Sequence, residues 1–122
     1  GVQAEASERR SQAENRTAAL FRLRVNLALE VRSSPDADAS PSTLWRSRCV
    51  GGRLSVSRSH ADFPTLLAEA LDVLAACGAD PKASAAALGC TASQLVRLLK
   101  LEPRALLLVN RWRADRNLHA LQ

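Results

Sequence analysis

The chain of 122 residues is 47% hydrophobic and 3% aromatic, which suits one compact domain or two small subdomains. With no tyrosine, two phenylalanines and two tryptophans, it offers few side chains on which the bases of single-stranded nucleic acid could stack. No apolar run approaches the ~20 residues of a membrane span, and three cysteines without a C-x-x-C spacing argue against a zinc site.

The charge of the chain is basic and unevenly distributed. Lysine and arginine (17) exceed the acidic residues (12), and the resulting net charge of +5 and pI near 10.1 favour partners that carry phosphate. Segments 1–32, 33–60 and 102–122 each carry +2, whereas segment 61–101 carries −1. Arginines that only solvate the surface of a basic protein would give the same distribution.

The first predicted elements are a short strand and a long helix. Residues 2–6 alternate apolar and polar side chains, as a half-buried strand does, and such a strand needs a sheet. Ser11 and Glu14 have the spacing of a capping box, which predicts that the helix begins there. Two apolar rows then recur at three- and four-residue steps, so the helix should bury a wide face. The rows are Leu20, Leu23, Leu27 and Val31, and Ala18, Phe21, Val25 and Ala28 or Leu29.

Arg9 and Arg10 fall at the predicted joint between strand and helix. Two guanidinium groups beside the first free amides of a helix can hold a phosphate group. The joint is therefore the first candidate binding site in the chain.

The same stretch resembles a known family. Val2-Gln3-Ala4-Glu5-Ala6, Arg10-Ser11-Gln12, Asn15-Arg16, Ala19 and Leu23 are similar to the end of the catalytic domain of bacterial class I peptide chain release factors and ribosome-rescue factors. In that family a strand leads through Arg-Ser-Gln-x-x-Asn into a long helix that packs on the sheet. The resemblance covers roughly the first quarter of the chain, Gly1 to Val31.

The resemblance implies a role on the ribosome without catalysis. In the family, a Gly-Gly-Gln loop upstream of the strand promotes hydrolysis of peptidyl-tRNA, whereas the one Gly-Gly pair here, Gly51-Gly52, is followed by Arg53. We therefore expect Gly1 to lie just after the catalytic loop of a longer protein. The residues implied to contact ribosomal RNA are Arg9, Arg10, Ser11, Gln12, Asn15 and Arg16.

A polar linker follows the long helix. Residues 33–43 contain two prolines and two aspartates and no large apolar side chain, a composition typical of a linker. We place a domain boundary near Ala39, between a release factor-like part, 1–38, and a helical domain, 39–122.

Two interpretations fit the next segment equally well. Leu44–Val50 and Arg53–Ser57 flank Gly51-Gly52, which predicts a hairpin with Cys49 opposite Leu54 and Ser47 opposite Val56. The alternative is an irregular basic loop that carries four arginines, Arg46, Arg48, Arg53 and Arg58.

Four helices are predicted after residue 61. The first helix begins near Asp62 and Pro64 and ends at Gly78, and the second begins at the cap Asp80 and ends at Gly89. The third begins at the cap Thr91, with Gln94 three residues later, and the fourth begins at Pro103 with Ala105, Leu108, Val109 and Trp112 facing inward. The fold is thus predicted to be mainly α: a strand remnant, a long helix, the hairpin or loop, and a compact four-helix domain that folds without the first helix.

Segment 80–101 also has the spacing of a helix-turn-helix, with Ala85, Gly89, Leu95 and Leu98 at the positions that pack the two helices. The second helix of the pair carries two basic residues, and the wider segment 61–101 has a net charge of −1. This is little positive charge for DNA, where phosphate contacts supply much of the affinity. We therefore interpret the pair first as a packing arrangement. The candidate nucleic-acid contacts that it offers, with the last helix, are Gln94, Arg97, Lys100, Arg111 and Arg113.

No group of side chains in the sequence forms a catalytic, metal or cofactor site, since His60 and His119 stand in no motif. The first interpretation is a cytoplasmic, non-catalytic C-terminal portion of a release factor-like protein, associated with the ribosome or its RNA in translation termination or rescue. The alternatives are a helix-turn-helix nucleic-acid-binding module, with DNA less favoured as a partner, and a helical protein-interaction domain. Leu106 or Leu107 would then supply an apolar surface for a homodimer.

Overall fold

The structure, a computed structural model, describes the backbone of residues 2–35 and 40–122 and, within those ranges, the side chains from Arg9 onward. The first helix, α1, spans Val2–Glu30. The predicted strand over residues 2–6 is therefore wrong, because alanine, glutamine and glutamate favour a helix and a short alternation is a weak signal against them. The predicted capping box is also wrong, since Ser11 and Glu14 lie inside α1 and not at its start.

The two apolar rows of α1 have opposite surroundings. Of the second row, Val25 and Ala28 are buried against α3 (Phe63–Ala76), as predicted. Phe21 is half-buried, whereas Ala18 is exposed, so the prediction is wrong for the start of that row. Leu20, Leu23 and Leu27 are about half exposed, and Val31 is exposed as well. Because α1 packs mainly on α3, with fewer contacts to α6, it buries one side only, and the predicted wide buried face is wrong for the first row.

A short helix, α2 (Thr43–Arg48), follows the linker. The Ser42 hydroxyl accepts the backbone N–H of Trp45 at 3.0 Å and caps it. The described linker residues, 33–35 and 40–42, contain neither helix nor strand, and the predicted boundary near Ala39 lies outside the described residues. Because α2 includes Ser47, the predicted pairing of Ser47 with Val56 is wrong.

A two-stranded antiparallel hairpin comes next, formed by β1 (Cys49–Val50) and β2 (Arg53–Leu54). Cys49 pairs with Leu54, the register that the sequence predicted. Gly51 and Gly52 have φ values of +62° and +79°, and a primed two-residue turn needs positive φ at both positions. The structure thus decides between the two interpretations in favour of a hairpin, shorter than predicted.

The four C-terminal helices begin where the sequence predicted, and the first two also end close to the predicted Gly78 and Gly89. They are α3, α4 (Pro81–Leu88), α5 (Ala92–Lys100) and α6 (Pro103–Asp115). Asp80 and Thr91 accept the N–H groups of Lys82 and Gln94, at 3.0 and 3.2 Å, and so cap α4 and α5. Gly89 ends α4 in the left-handed conformation, with φ of +73°.

One hydrophobic core joins α1, α2, the hairpin and the four C-terminal helices. Trp45 of α2 is fully buried in it, and its indole N–H donates to the Leu88 carbonyl at 2.8 Å. Since Val25 and Ala28 belong to the same core, the predicted parts 1–38 and 39–122 share apolar contacts; that 62–118 folds alone stays a prediction. No helix in the described ranges is long and apolar enough to span a membrane.

Candidate nucleic-acid interface

The six residues implied to contact RNA lie on the exposed N-terminal part of α1. Every residue from Arg9 to Leu20 is exposed, so this part of the helix presents its whole circumference to solvent. The helix continues through Arg9 and Arg10, and the amides there bond within it. The predicted phosphate site made of free amides at a strand-to-helix joint is therefore wrong, and only side chains remain available for an anion.

The helical spacing divides these side chains into groups. Arg9, Gln12 and Arg16, at steps of three and four, share one side of α1, and Ser11 and Asn15 share another. The helix between Arg9 and Arg24 carries five arginines and one glutamate, a net charge of +4. The structure thus concentrates positive charge along one rod-like element.

Arg24 has a structural role within this helix. Its guanidinium donates to the Ala61 carbonyl at 3.0 Å and to the Thr65 hydroxyl at 3.1 Å. These bonds fix α1 against the start of α3. Arg24 is therefore less free to bind a ligand than the arginines before it.

The predicted helix-turn-helix pair is present as α4, a turn from Gly89 to Thr91, and α5. Ala85, Leu95 and Leu98 are buried between the helices, as their spacing predicted. Arg97 and Lys100 are exposed on α5. The pair alone shows how the helices pack, not what they bind.

The hairpin covers the beginning of α5, a contact that the sequence did not predict. The backbone N–H of Thr91 donates to the Gly52 carbonyl at 3.1 Å, and the side-chain oxygen of Gln94 accepts the N–H of Leu54 at 3.2 Å. The Cys49 thiol lies 3.4 Å from the Gly89 carbonyl. Gln94 thus bonds to the edge of β2, where it is not available to read a base.

The candidate arginines of α6 differ in role. Arg111 is exposed. Arg113 donates to the carbonyls of Ala79 and His119, at 2.8 and 2.6 Å, and so connects the turn before α4 and the C-terminal residues to α6. The structure therefore gives Arg113 a stabilising role.

A cluster around Glu102 escaped the sequence analysis. Its carboxylate, almost fully buried, accepts from Arg104 at 2.8 Å and from Arg58 at 3.0 Å. The hydrogen bond from Arg104, helped by the charge of Arg58, holds the pKa of Glu102 below its usual range although burial opposes it. Arg58 also lies over the rings of Phe21 and Phe63, at 5.6 and 5.1 Å. The contact between Arg58 and Glu102 joins residues 44 positions apart in the sequence, so no local pattern could have revealed the cluster.

The surroundings of Cys90 and His60 indicate structural and not catalytic roles. Burial, with a smaller effect of Cys49, raises the pKa of the Cys90 thiol to about 11, so this thiol is protonated and a weak nucleophile at neutral pH. His60 accepts the backbone N–H of Asp62 at 3.0 Å, just before α3. Within the described residues, no three His, Cys, Asp or Glu side chains are grouped so as to hold a metal ion.

Comparisons with family models, with curated proteins and with solved structures find no match to this chain. The resemblance of residues 1–31 to release factors thus stays a prediction. Function is inferred below from the charge, exposure and contacts of α1, the hairpin and α5.

Proposed function

We propose that this chain is a non-catalytic, ribosome-associated part of a release factor-like protein that acts in translation termination or rescue in the cytoplasm. The N-terminal part of α1 binds ribosomal RNA through Arg9, Arg10 and Arg16. Ser11, Gln12 and Asn15 add hydrogen bonds to phosphate or sugar oxygens. Two features support this proposal: the resemblance of the first quarter of the chain, and the surroundings of these side chains.

The observation that carries the proposal is the full exposure of residues 9–20. A helix exposed on every side gains no stability from a core, so its three arginines cover no apolar surface of this fold. They are extended into solvent with only Glu14 as an acidic neighbour in that stretch. Such a helix suits the phosphate backbone of RNA, where bound cations displace counterions and salt weakens the complex.

The experiment compares ribosome binding of three variants over a range of salt concentrations. The triple change Arg9→Gln, Arg10→Gln, Arg16→Gln should weaken binding, and the slope of log K against log salt should fall by on the order of one per lost contact. Arg→Lys at the same positions keeps the charge and should keep most of the slope.

A matched control removes the same charge at three other exposed positions, through Arg22→Gln, Lys82→Gln and Arg116→Gln. An equal loss of binding in this control would mean that only net charge matters. Purified chain that released peptide from ribosomes loaded with peptidyl-tRNA would contradict the non-catalytic part of the proposal.

A second candidate function, a helical protein-interaction domain, is favoured by the exposed apolar row of α1. We assign this row to a second copy of the chain, because Arg16 and Glu30 lie seven residues before and after Leu23 on the same side. In two antiparallel copies of α1 that meet at Leu23, each Arg16 would lie beside the other copy's Glu30. Leu107 of α6, 61% exposed, is a further exposed apolar side chain, on the helix where the sequence predicted a surface for a homodimer. A monomer in sedimentation equilibrium at high concentration would exclude this homodimer.

A further inference from the structure

The fold assembles a basic surface from two segments that are far apart in the sequence. Residues 43–57 and residues 89–101 together contain five lysines and arginines and no aspartate or glutamate. On its own, the second helix of the helix-turn-helix pair supplies two cations, Arg97 and Lys100. The hairpin adds the arginines that α5 lacks.

Two hydrogen bonds and one shared cavity place the hairpin beside α5. Because Gly52 and Leu54 both bond to the first turn of α5, Arg53 must lie beside that turn. Leu54 is buried while Arg53 is exposed, as alternating strand residues are. On α5, Arg97 lines a small cavity of about 30 Å³ with Leu54 and Val56, so it lies next to the hairpin.

Lys100 extends the surface by one helical turn. It lies three residues after Arg97, and the two side chains border the same shallow depression. Within the described residues, no carboxylate forms an ion pair with Arg53, Arg97 or Lys100. Arg48, in contrast, pairs with Asp62 at 2.8 Å. Three exposed cations are thus left to a ligand.

The surroundings restrict what that ligand can be. The one aromatic side chain of the two segments, Trp45, is fully buried, so no ring is available to stack on an unpaired base. A recognition helix usually contacts bases from its first turn, and in α5 the hairpin bonds to that turn through Thr91 and Gln94. Phosphate groups are the remaining feature of a nucleic acid that this surface can bind.

We propose that Arg53, Arg97 and Lys100 form a hairpin–α5 face that binds the phosphate backbone of a nucleic-acid duplex without reading its sequence. This face is separate from the arginines of α1, so it does not depend on the function proposed above. The phosphate chemistry is common to RNA and DNA duplexes, and the experiment distinguishes these sources.

The test measures binding of the full chain to a fluorescent 20-base-pair RNA duplex, and to a DNA duplex of the same sequence, by anisotropy at several salt concentrations. The triple change Arg53→Gln, Arg97→Gln, Lys100→Gln should lower affinity roughly tenfold or more and reduce the salt slope by about three. A loss on both duplexes assigns the face to duplex backbone in general, whereas a loss on one alone assigns it to that nucleic acid. All three side chains are exposed, so circular dichroism and the melting temperature should stay unchanged.

Two controls make the result specific. The Arg22→Gln, Lys82→Gln, Arg116→Gln variant, at three exposed positions, should bind the duplexes like the wild type. The α1 triple variant should bind the duplexes, and it should lose that binding when the hairpin–α5 face is changed as well. The proposal is overturned by unchanged affinity and slope, by an equal loss in the Lys82 control, or by binding confined to one duplex sequence. If the α1 triple variant binds the ribosome like the wild type but the hairpin–α5 variant loses duplex binding, only the function proposed above fails.

Discussion

The first helix and the four C-terminal helices differ in how well their local sequence signals agree with their observed ends and burial. In α4 and α5 the ends are marked by caps, Asp80 and Thr91, and the apolar residues that the spacing picks out are the buried ones. In α1, 29 residues long, the cap signal falls mid-helix and one of two apolar rows stays exposed. Local signals therefore agree with tertiary packing where a helix has neighbours on several sides, and they mislead where it has few.

The largest expected effect contrasts the same substitution in the two regions. Leu67→Ala removes a fully buried side chain of α3 and should cost about 2–5 kcal/mol of the free energy of unfolding. Leu23→Ala, at a side chain 52% exposed on α1, should change it by less than about 0.5 kcal/mol. Urea denaturation of both variants measures the difference. Equal losses would show that the first apolar row is covered in solution.

A smaller effect is expected from the buried carboxylate at the start of α6. Glu102→Gln leaves Arg58 and Arg104 without a charged partner and should cost about 2 kcal/mol at neutral pH. The folded pKa of Glu102 lies below that of the unfolded chain, so its contribution is complete above the unfolded value of about 4.3 and is lost as the pH falls through the folded pKa.

The difference between wild type and Glu102→Gln should therefore be constant above about pH 5 and shrink in more acidic solution. Thermal unfolding at a series of pH values measures it. Glu14→Gln, an exposed change on α1, serves as the matched control and should alter stability by less than about 0.5 kcal/mol. A difference that persisted undiminished at the acid end would contradict the role of the carboxylate charge.

The smallest expected effect compares a real cap with a mistaken one. Thr91→Ala removes the hydroxyl that accepts the Gln94 N–H and should cost about 1 kcal/mol. Ser11→Ala, inside α1, should leave stability unchanged or raise it by up to about 0.5 kcal/mol, since alanine is the better helix former. The melting temperatures of the two variants measure this difference in stability. A loss of about 1 kcal/mol in Ser11→Ala would indicate that α1 begins there after all.

The sequence predicts the fold well where proline, glycine and capping side chains punctuate it. Pro81 and Gly89 act through their own backbone geometry, and Thr91 acts through a hydroxyl that reaches an amide three residues later, so the effect of each is local. The identity of the buried row on α1 is not local, because Val25 and Leu23 are equally apolar and only the position of α3 selects between them. The sequence did not predict α2 for a similar reason, since the burial of Trp45 depends on distant segments. The local signal for α2 was a capping residue, Ser42, three positions before Trp45.

The candidate interface was predictable only in part. The arginines of α1 are visible in the sequence as a basic helix, and the structure leaves Arg9, Arg10 and Arg16 exposed there. Arg113 and Gln94 were candidates by residue type, yet each makes hydrogen bonds to backbone groups at least 34 positions away. Residue type and helical spacing cannot distinguish a free polar side chain from one that a distant segment engages.

We expect the hairpin to form late in folding. Each of its strands has two residues, and a hairpin of that size is unstable on its own in water. Its contacts from Leu54 to Gln94 and from Cys49 to Gly89 join residues 40 positions apart, and closing such a loop costs on the order of 3 kcal/mol in chain entropy. The hairpin therefore assembles together with α4 and α5 or after them, and a partly folded chain does not yet carry the hairpin–α5 face.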